Sequence, residues 1–271
     1  MNVMSPAFAM LQDGSLGMVY SDRKSKENAN RLFIRSFNEG KSWTDPVQIT
    51  YEGYKTGCHD RFTVLSNGRL LVPLHCTDDW YNHYLHVRVA WSDDIGTTWK
   101  IGDPIILPRV DGFFESGAME PTLIKLNSGA LLMVIRTAMG TLFRADSFDG
   151  GKSWTNIRSM GVISPIAPAV LRRLDESVLI MIWNRNFDIT HPMGGARTPL
   201  VLGISRDEGR TWPVSEHFVL EDDGEHAFSY PSCLVTEKEI LITYSVSKLN
   251  DQFGKRSLKL MRIQKRELSA V

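Results

Sequence analysis

Five times along the chain, a run of apolar residues is broken by a short polar turn and resumes as a second apolar run. The copies span 5–20, 60–74, 120–135, 167–182 and 230–244, and open on Ser5, Asp60, Glu120, Ala167 and Tyr230. Paired runs of this length predict β-hairpins. Asp13-Gly14 and Asn67-Gly68 are strong hairpin turns, and Asn127-Ser128-Gly129 is a looser one. The second runs, such as Leu131-Leu132-Met133-Val134-Ile135 and Val178-Leu179-Ile180-Met181-Ile182, are apolar without alternation. That suits a strand buried on both faces. Two more strands follow in most copies, for example over 141–146.

A second repeat, S-x-[DN]-x-G-x-[ST]-W, stands between the hairpins at 36–43, 92–99, 147–154 and 205–212. Its starts lie 56, 55 and 58 residues apart, so the repeat is a structural unit. Each copy reads as a tight turn. The Asp or Asn side chain can bond the backbone two residues on. The Gly takes a positive φ, the Ser or Thr ties the loop back, and the Trp covers the hairpin. All of these roles are structural, and a Ca²⁺ loop would need more carboxylates at regular offsets. Four strands per unit, repeated radially, predict an all-β domain over 1–271 built as a β-propeller. A stacked solenoid is the alternative, although its repeats are usually shorter and simpler. Five blades can close a ring.

Composition narrows the function classes. Lys plus Arg and Asp plus Glu are 31 each in 271 residues, a formal net charge of zero. Nothing global points to nucleic acid or to an anionic membrane. No apolar run is long enough to span a bilayer, and the N-terminus has no signal-like segment, so a cytoplasmic location is expected. Cys58, Cys76 and Cys233 are too scattered for a disulfide framework or a metal site and are expected to be buried thiols. No metal or cofactor is expected.

The turn motif resembles the Asp-box of the sialidase superfamily, and the whole chain resembles a bacterial sialidase-like protein with a six-bladed propeller. The resemblance rests on an ordered set: 2–5 with 11–16, Asp60-Arg61 with 66–73, Glu120-Pro121, Arg197-Thr198-Pro199-Leu200 and Ser229-Tyr230-Pro231. Sialidases hold a sugar carboxylate with three arginines and attack the anomeric carbon with a glutamate-activated tyrosine; an aspartate serves as acid/base. The resemblance implies that Tyr230 is the nucleophile and Glu120 its activating base. It also implies Arg136 and Arg197 as second and third arginines. Counting back from Tyr230 as the sixth blade, Ser5 opens the second. The chain is therefore expected to lack a first blade of about 50–60 residues at this period, with its arginine and its aspartate. Asp60 and Asp22 are then the substitutes available for the acid/base, or else solvated or arginine-paired carboxylates. Arg61, His59 and His75 are candidate ligand contacts, and Asn184 and Arg185 could line the pocket.

Position within the hairpins supports the first pair. Glu120 lies eight residues before Ser128 and Arg136 eight after it, so the two should face each other across paired strands. Residues opening inner strands should share one mouth, which groups Glu120, Tyr230, Asp60 and Arg136 far from the Asp-boxes. The residue types suit the chemistry. A phenol titrating near pH ~10 needs a nearby base to attack at neutral pH. A neutral nucleophile also avoids repulsion from a carboxylate on the anomeric carbon. Arginines grip carboxylates bidentately and keep their charge. The expected function is a retaining exo-glycosidase of sialidase type acting on sialic acid or a related acidic sugar in a glycoconjugate. The alternatives are a catalytically silent propeller binding carbohydrate or protein, and a glycosidase or lyase for another acidic sugar.

Overall fold

The computed structural model describes residues 2–251 and 254–268. They form five antiparallel meanders in chain order, as the hairpin count predicts. The third shows the plan: Met119–Lys125, Leu131–Arg136, Thr141–Ser147 and Thr155–Ile163 pair in sequence order. The fourth repeats it with Val170–Arg173, Leu179–Asn184, Leu200–Ser205 and His217–Glu221. The fifth has three strands, His226–Val235, Glu239–Lys248 and Ser257–Gln264. The first two meanders are joined into one sheet by Tyr54–Thr56, which runs parallel to Ala29–Ser36 and antiparallel to Leu70–Thr77. In the second meander the opening arm shrinks to Thr63–Val64.

The unalternating apolar strands explain how the sheets stack. Leu131, Met133 and Ile135 pack against Val87 and Val89 of the second meander. From the same strand, Leu132 and Val134 pack against Leu179, Met181 and Trp183 of the fourth. Ile180 and Ile182 then meet Ile240, Ile242 and Tyr244 of the fifth. The core is thus a series of slabs between neighbouring sheets, the arrangement of a β-propeller rather than a solenoid. The outer faces of the terminal strands differ: Val3, Phe8 and Met10, and Leu258 and Leu260, are exposed. All three cysteines are buried and free, as expected.

The four Asp-boxes are tied back on themselves as expected, but the Asp or Asn side chain reaches four residues on rather than two. In each, the Gly N–H donates to the first Ser Oγ at 2.8–2.9 Å. The Asp or Asn Oδ1 accepts the backbone N–H four residues on at 2.9–3.0 Å. Gly96, at φ +84°, also sits where a Cβ would come within 2.0 Å of the Phe33 ring. Strand register puts the boxes at the end away from Glu120: Lys125 pairs with Leu131, and Leu131 with Ser147. Burial would raise the Asp149 carboxyl, but bonds from Ser153, Ser147 and Lys152 outweigh it and hold it at about 2. Its stabilising effect is present above the ordinary value of 3.8 and is lost as pH falls from there through about 2. Asn38 fills the same place in the first box with its amide, donating to Ser42 Oγ. Asp149→Asn should therefore keep the fold at a cost below about 1 kcal/mol and flatten the acid limb, whereas Asp149→Ala should cost about 1–3 kcal/mol. Urea melts at pH 7 and pH 3 measure both.

Candidate active site

The site is built on a backbone irregularity that recurs in or just before the first strand of four meanders. Ser5, Asp60, Glu120 and Tyr230 all take left-handed φ angles of 57°, 55°, 34° and 57°. Such values are strained for residues other than glycine. At three of these places the ladder shifts register, between Met4 and Ala7, Met119 and Thr122, and Ser229 and Ser232. Each is a bulge, which re-aims one side chain at the sheet rim. In this way Ser5, Glu120 and Tyr230, from three meanders, come to line one cavity of ≈ 540 Å³ with Tyr54, His59 and Glu115.

Charge is concentrated at one guanidinium. Arg136, 3% exposed, bonds Glu120 through Nη1 and Glu115 through Nη2, the latter at 2.5 Å. Its Nε is buried and unpartnered. Register pairs Arg136 with Met119, and the bulge after Met119 brings Glu120 onto the guanidinium. Burial favours a neutral carboxyl at Glu120, but the Arg136 charge, with help from His75 and Arg197, outweighs it and holds Glu120 at about 2. The Glu120 carboxylate, and then burial, push the Tyr230 phenol above its ordinary value. Arg197, also 3% exposed, lies with its guanidinium carbon 4.9 Å from the Tyr230 ring centroid. It donates to Ile166 O at 3.4 Å, and its Nε is buried without a partner. His59 Nε2 donates to the Tyr230 carbonyl at 3.0 Å. At neutral pH the site therefore holds an ionised carboxylate, two arginines and a neutral phenol.

Residues 2–242 match the family described as BNR repeat-like domain. The chain belongs to the BNR repeat-like domain family. It is 24% identical over 241 residues to a sialidase of Bacteroides fragilis (strain YCH46), covering 83% of this chain and 41% of that protein. The chain thus spans about two-fifths of that relative's length. Among solved structures, a protein of unknown function from Dyadobacter fermentans superposes with a TM-score of 0.72 at 21% identity, over 97% of this chain and 76% of that one. A Trypanosoma rangeli sialidase in complex with 2,3-difluorosialic acid gives 0.68 at 16% identity, over 99% and 45%. The fold is that of the sialidase-like β-propellers, and the repeat family places the chain in that superfamily.

Not every residue singled out in this BNR repeat-like chain joins the cavity. Asp60 shares the left-handed backbone but faces a different cavity, of ≈ 700 Å³. Its carboxylate pairs with Arg172 at 2.5 Å and accepts the Cys233 N–H at 2.9 Å. It is an arginine-paired carboxylate tying three meanders together. Asp22 does not line the Tyr230 cavity either. Arg61 is buried and donates to three carbonyls, His59 O, Asp60 O and Ala169 O, so its role is to join sheets. Asn184 is fully buried and its Nδ2 donates to Phe228 O, which steadies the strand carrying Tyr230. Arg185 bonds His217. His75 does line the cavity, with a buried, unpartnered Nδ1. Glu115 was missed by the sequence reading because it lies in a loop without periodicity. The fully buried Arg31, which donates to Ser5 O and Cys58 O, looks in sequence like any strand arginine.

His59 provides a pH test of this geometry. Burial, reinforced by Arg61, lowers its imidazole from 6.5 to about 4. The unfolded chain binds a proton there that the native site refuses, so stability is full above 6.5 and lost as pH falls towards 4. The loss from this group should be on the order of 2 kcal/mol, and His59→Gln should flatten it in urea titrations between pH 7 and pH 4.

Proposed function

We propose that this chain is the propeller of a retaining exo-glycosidase of sialidase type, acting on terminal sialic acid or a related acidic sugar. The observation that carries the reading is the meeting of Glu120 and Arg136 of the third meander with Arg197 and Tyr230, where Glu120 and Tyr230 line the cavity and the two arginines lie buried behind them. The sialidases among its relatives support it. In this reaction the sugar carboxylate lies on Arg136 and Arg197. Tyr230 Oη attacks the anomeric carbon and passes its proton to Glu120. The glycosidic C–O bond breaks as the Oη–C bond forms, and the departing glycan oxygen takes a proton from water; a water then attacks the anomeric carbon and gives up its proton to solvent, and the released tyrosinate recovers its proton from Glu120.

The state of Arg136 sets the terms of binding. Each terminal nitrogen already holds one carboxylate, so a sugar carboxylate that joins Arg136 competes with Glu115 and Glu120 for its charge. Glu115, on a loop with its side chain 22% exposed, gives way more readily than Glu120, at 12% on a strand. A substrate carboxylate drawing on the same guanidinium also raises the proton affinity of Glu120. A base held at about 2 in the free site thereby becomes competent when the ligand arrives.

A second reading, a propeller that binds an acidic sugar without cleaving it, is favoured by one observation. The carboxylate expected to supply the acid, Asp60, is committed to Arg172 and Cys233.

Turnover of a fluorogenic sialoside by the expressed chain separates the two. In the catalytic reading Tyr230→Phe lowers kcat by at least about 10³-fold, and Glu120→Gln by about 10²–10⁴-fold. Glu115→Gln lowers KM by roughly 5- to 10-fold by freeing Arg136. Saturable binding of the sugar with no turnover selects the binding reading. Turnover unchanged in Tyr230→Phe removes the nucleophile from the scheme.

A further inference from the structure

The Tyr230 cavity holds a nucleophile and a base but no assigned acid. Asp60, the carboxylate expected in that role, faces another cavity and is held by Arg172 and the Cys233 N–H. A glycan oxygen departs slowly unless it is protonated as its bond to carbon breaks. Most titratable groups in the wall are committed elsewhere. Glu115 and Glu120 both sit on Arg136, and Tyr230 is the nucleophile. Arg23 and Arg256 keep their protons. Burial pushes the Cys58 thiol up to about 12 and raises the Tyr54 phenol as well, which makes both weak donors. His59 spends both ring nitrogens, Nε2 on the Tyr230 carbonyl at 3.0 Å and Nδ1 on Cys58 Sγ at 3.6 Å.

His75 remains. It stands in Leu70–Thr77 of the second meander, with Thr56 and Val87 opposite it on the flanking strands and the Tyr54 ring centroid 5.9 Å from its own. It is 7% exposed and lines the cavity. Its Nδ1 is buried without a partner, so Nε2 is the nitrogen left to face a ligand. Burial, joined by the charges of Arg136 and of Arg31 in the first meander, disfavours a proton on the ring; Glu120 and Glu115 favour one and are outweighed. The imidazole therefore takes up a proton only below its ordinary 6.5, and gives it up readily. Glu120 is still ionised there, since Arg136 holds it at about 2. A protonated donor and an ionised base thus coexist in mildly acidic solution, in one cavity.

We propose that His75 is the general acid and base of this site. Its Nε2–H protonates the glycan oxygen as the C–O bond breaks and Tyr230 Oη bonds the anomeric carbon, which leaves a neutral imidazole. That imidazole then takes a proton from the water that attacks the anomeric carbon and frees Tyr230, and the tyrosinate recovers its own proton from Glu120. His75 so replaces bulk water in both transfers. The proposal rests on the glycosidase reading.

The test compares a fluorogenic aryl sialoside, whose leaving group departs with little help, with a trisaccharide of sialic acid linked to lactose, whose leaving group must be protonated. The readout is kcat/KM at pH 5, which covers the steps up to departure of the leaving group. His75→Gln should lower it about 10³-fold for the trisaccharide and only about tenfold for the aryl sialoside. The aryl activity that remains shows that the variant is folded. In the unmodified chain, kcat/KM for the trisaccharide should fall as pH rises through a limb below 6.5, and His75→Gln should lack that limb. Equal losses on both substrates, or no loss on either, overturn the acid while leaving the glycosidase intact, and so does a limb that persists in the variant. An unmodified chain that turns over neither substrate sinks the glycosidase reading and the acid with it.

Discussion

A strand that is apolar on both faces must lie between two other sheets. That constraint organises this molecule. Leu131–Arg136 can bury its odd and even side chains only if the second and fourth meanders flank it. Repeated along the chain, the same demand stacks the sheets face to face and turns the open ends of their hairpins towards a common rim. The Asp-boxes brace the opposite end. The division between a structural end and a chemical end follows from strand direction alone, because the first strand begins where the second one finishes.

At the rim, electrostatics hinges on Arg136. A buried guanidinium with one carboxylate would be a simple structural pair, and removing either member would strand a charge. With Glu115 and Glu120 both on it, Arg136 is shared between a strand and a loop. The Glu120 carboxylate, and then burial, raise the Tyr230 phenol, while Arg197 beside the ring and Arg136 oppose them. Arg136 therefore joins the strand that holds the base to the loop that carries Glu115.

Much of this could be read from residue order. The hairpins were legible because each apolar run is bounded by a turn, and the Asp-boxes because their bonds are local. The Glu120–Arg136 contact was legible to within one position, because hairpin register is arithmetic about the turn and the bulge sets Met119 opposite Arg136. The bulges were not foreseen, although their signal is present: Ser5-Pro6, Glu120-Pro121 and Tyr230-Pro231 each set a proline after the strained residue. Asp60 looked equivalent to these by position. Its fate is decided by Arg172, a residue more than a hundred positions away in another sheet. Glu115 stands in an irregular loop, where neither period nor register says which way a side chain faces.

The left-handed bulge at the head of the inner strands has a consequence for how such proteins diversify. The backbone, not the side chain, fixes the outward vector at Ser5, Glu120 and Tyr230. Three positions that now hold a hydroxyl, a carboxylate and a phenol are interchangeable sockets on a common chassis. A change at Ser5 alters the chemistry offered to the cavity, whereas a change at Glu120 must also leave a partner for the buried Arg136. Conservation of the strain, rather than of the residue, is then the mark by which distant members of such a lineage can be aligned.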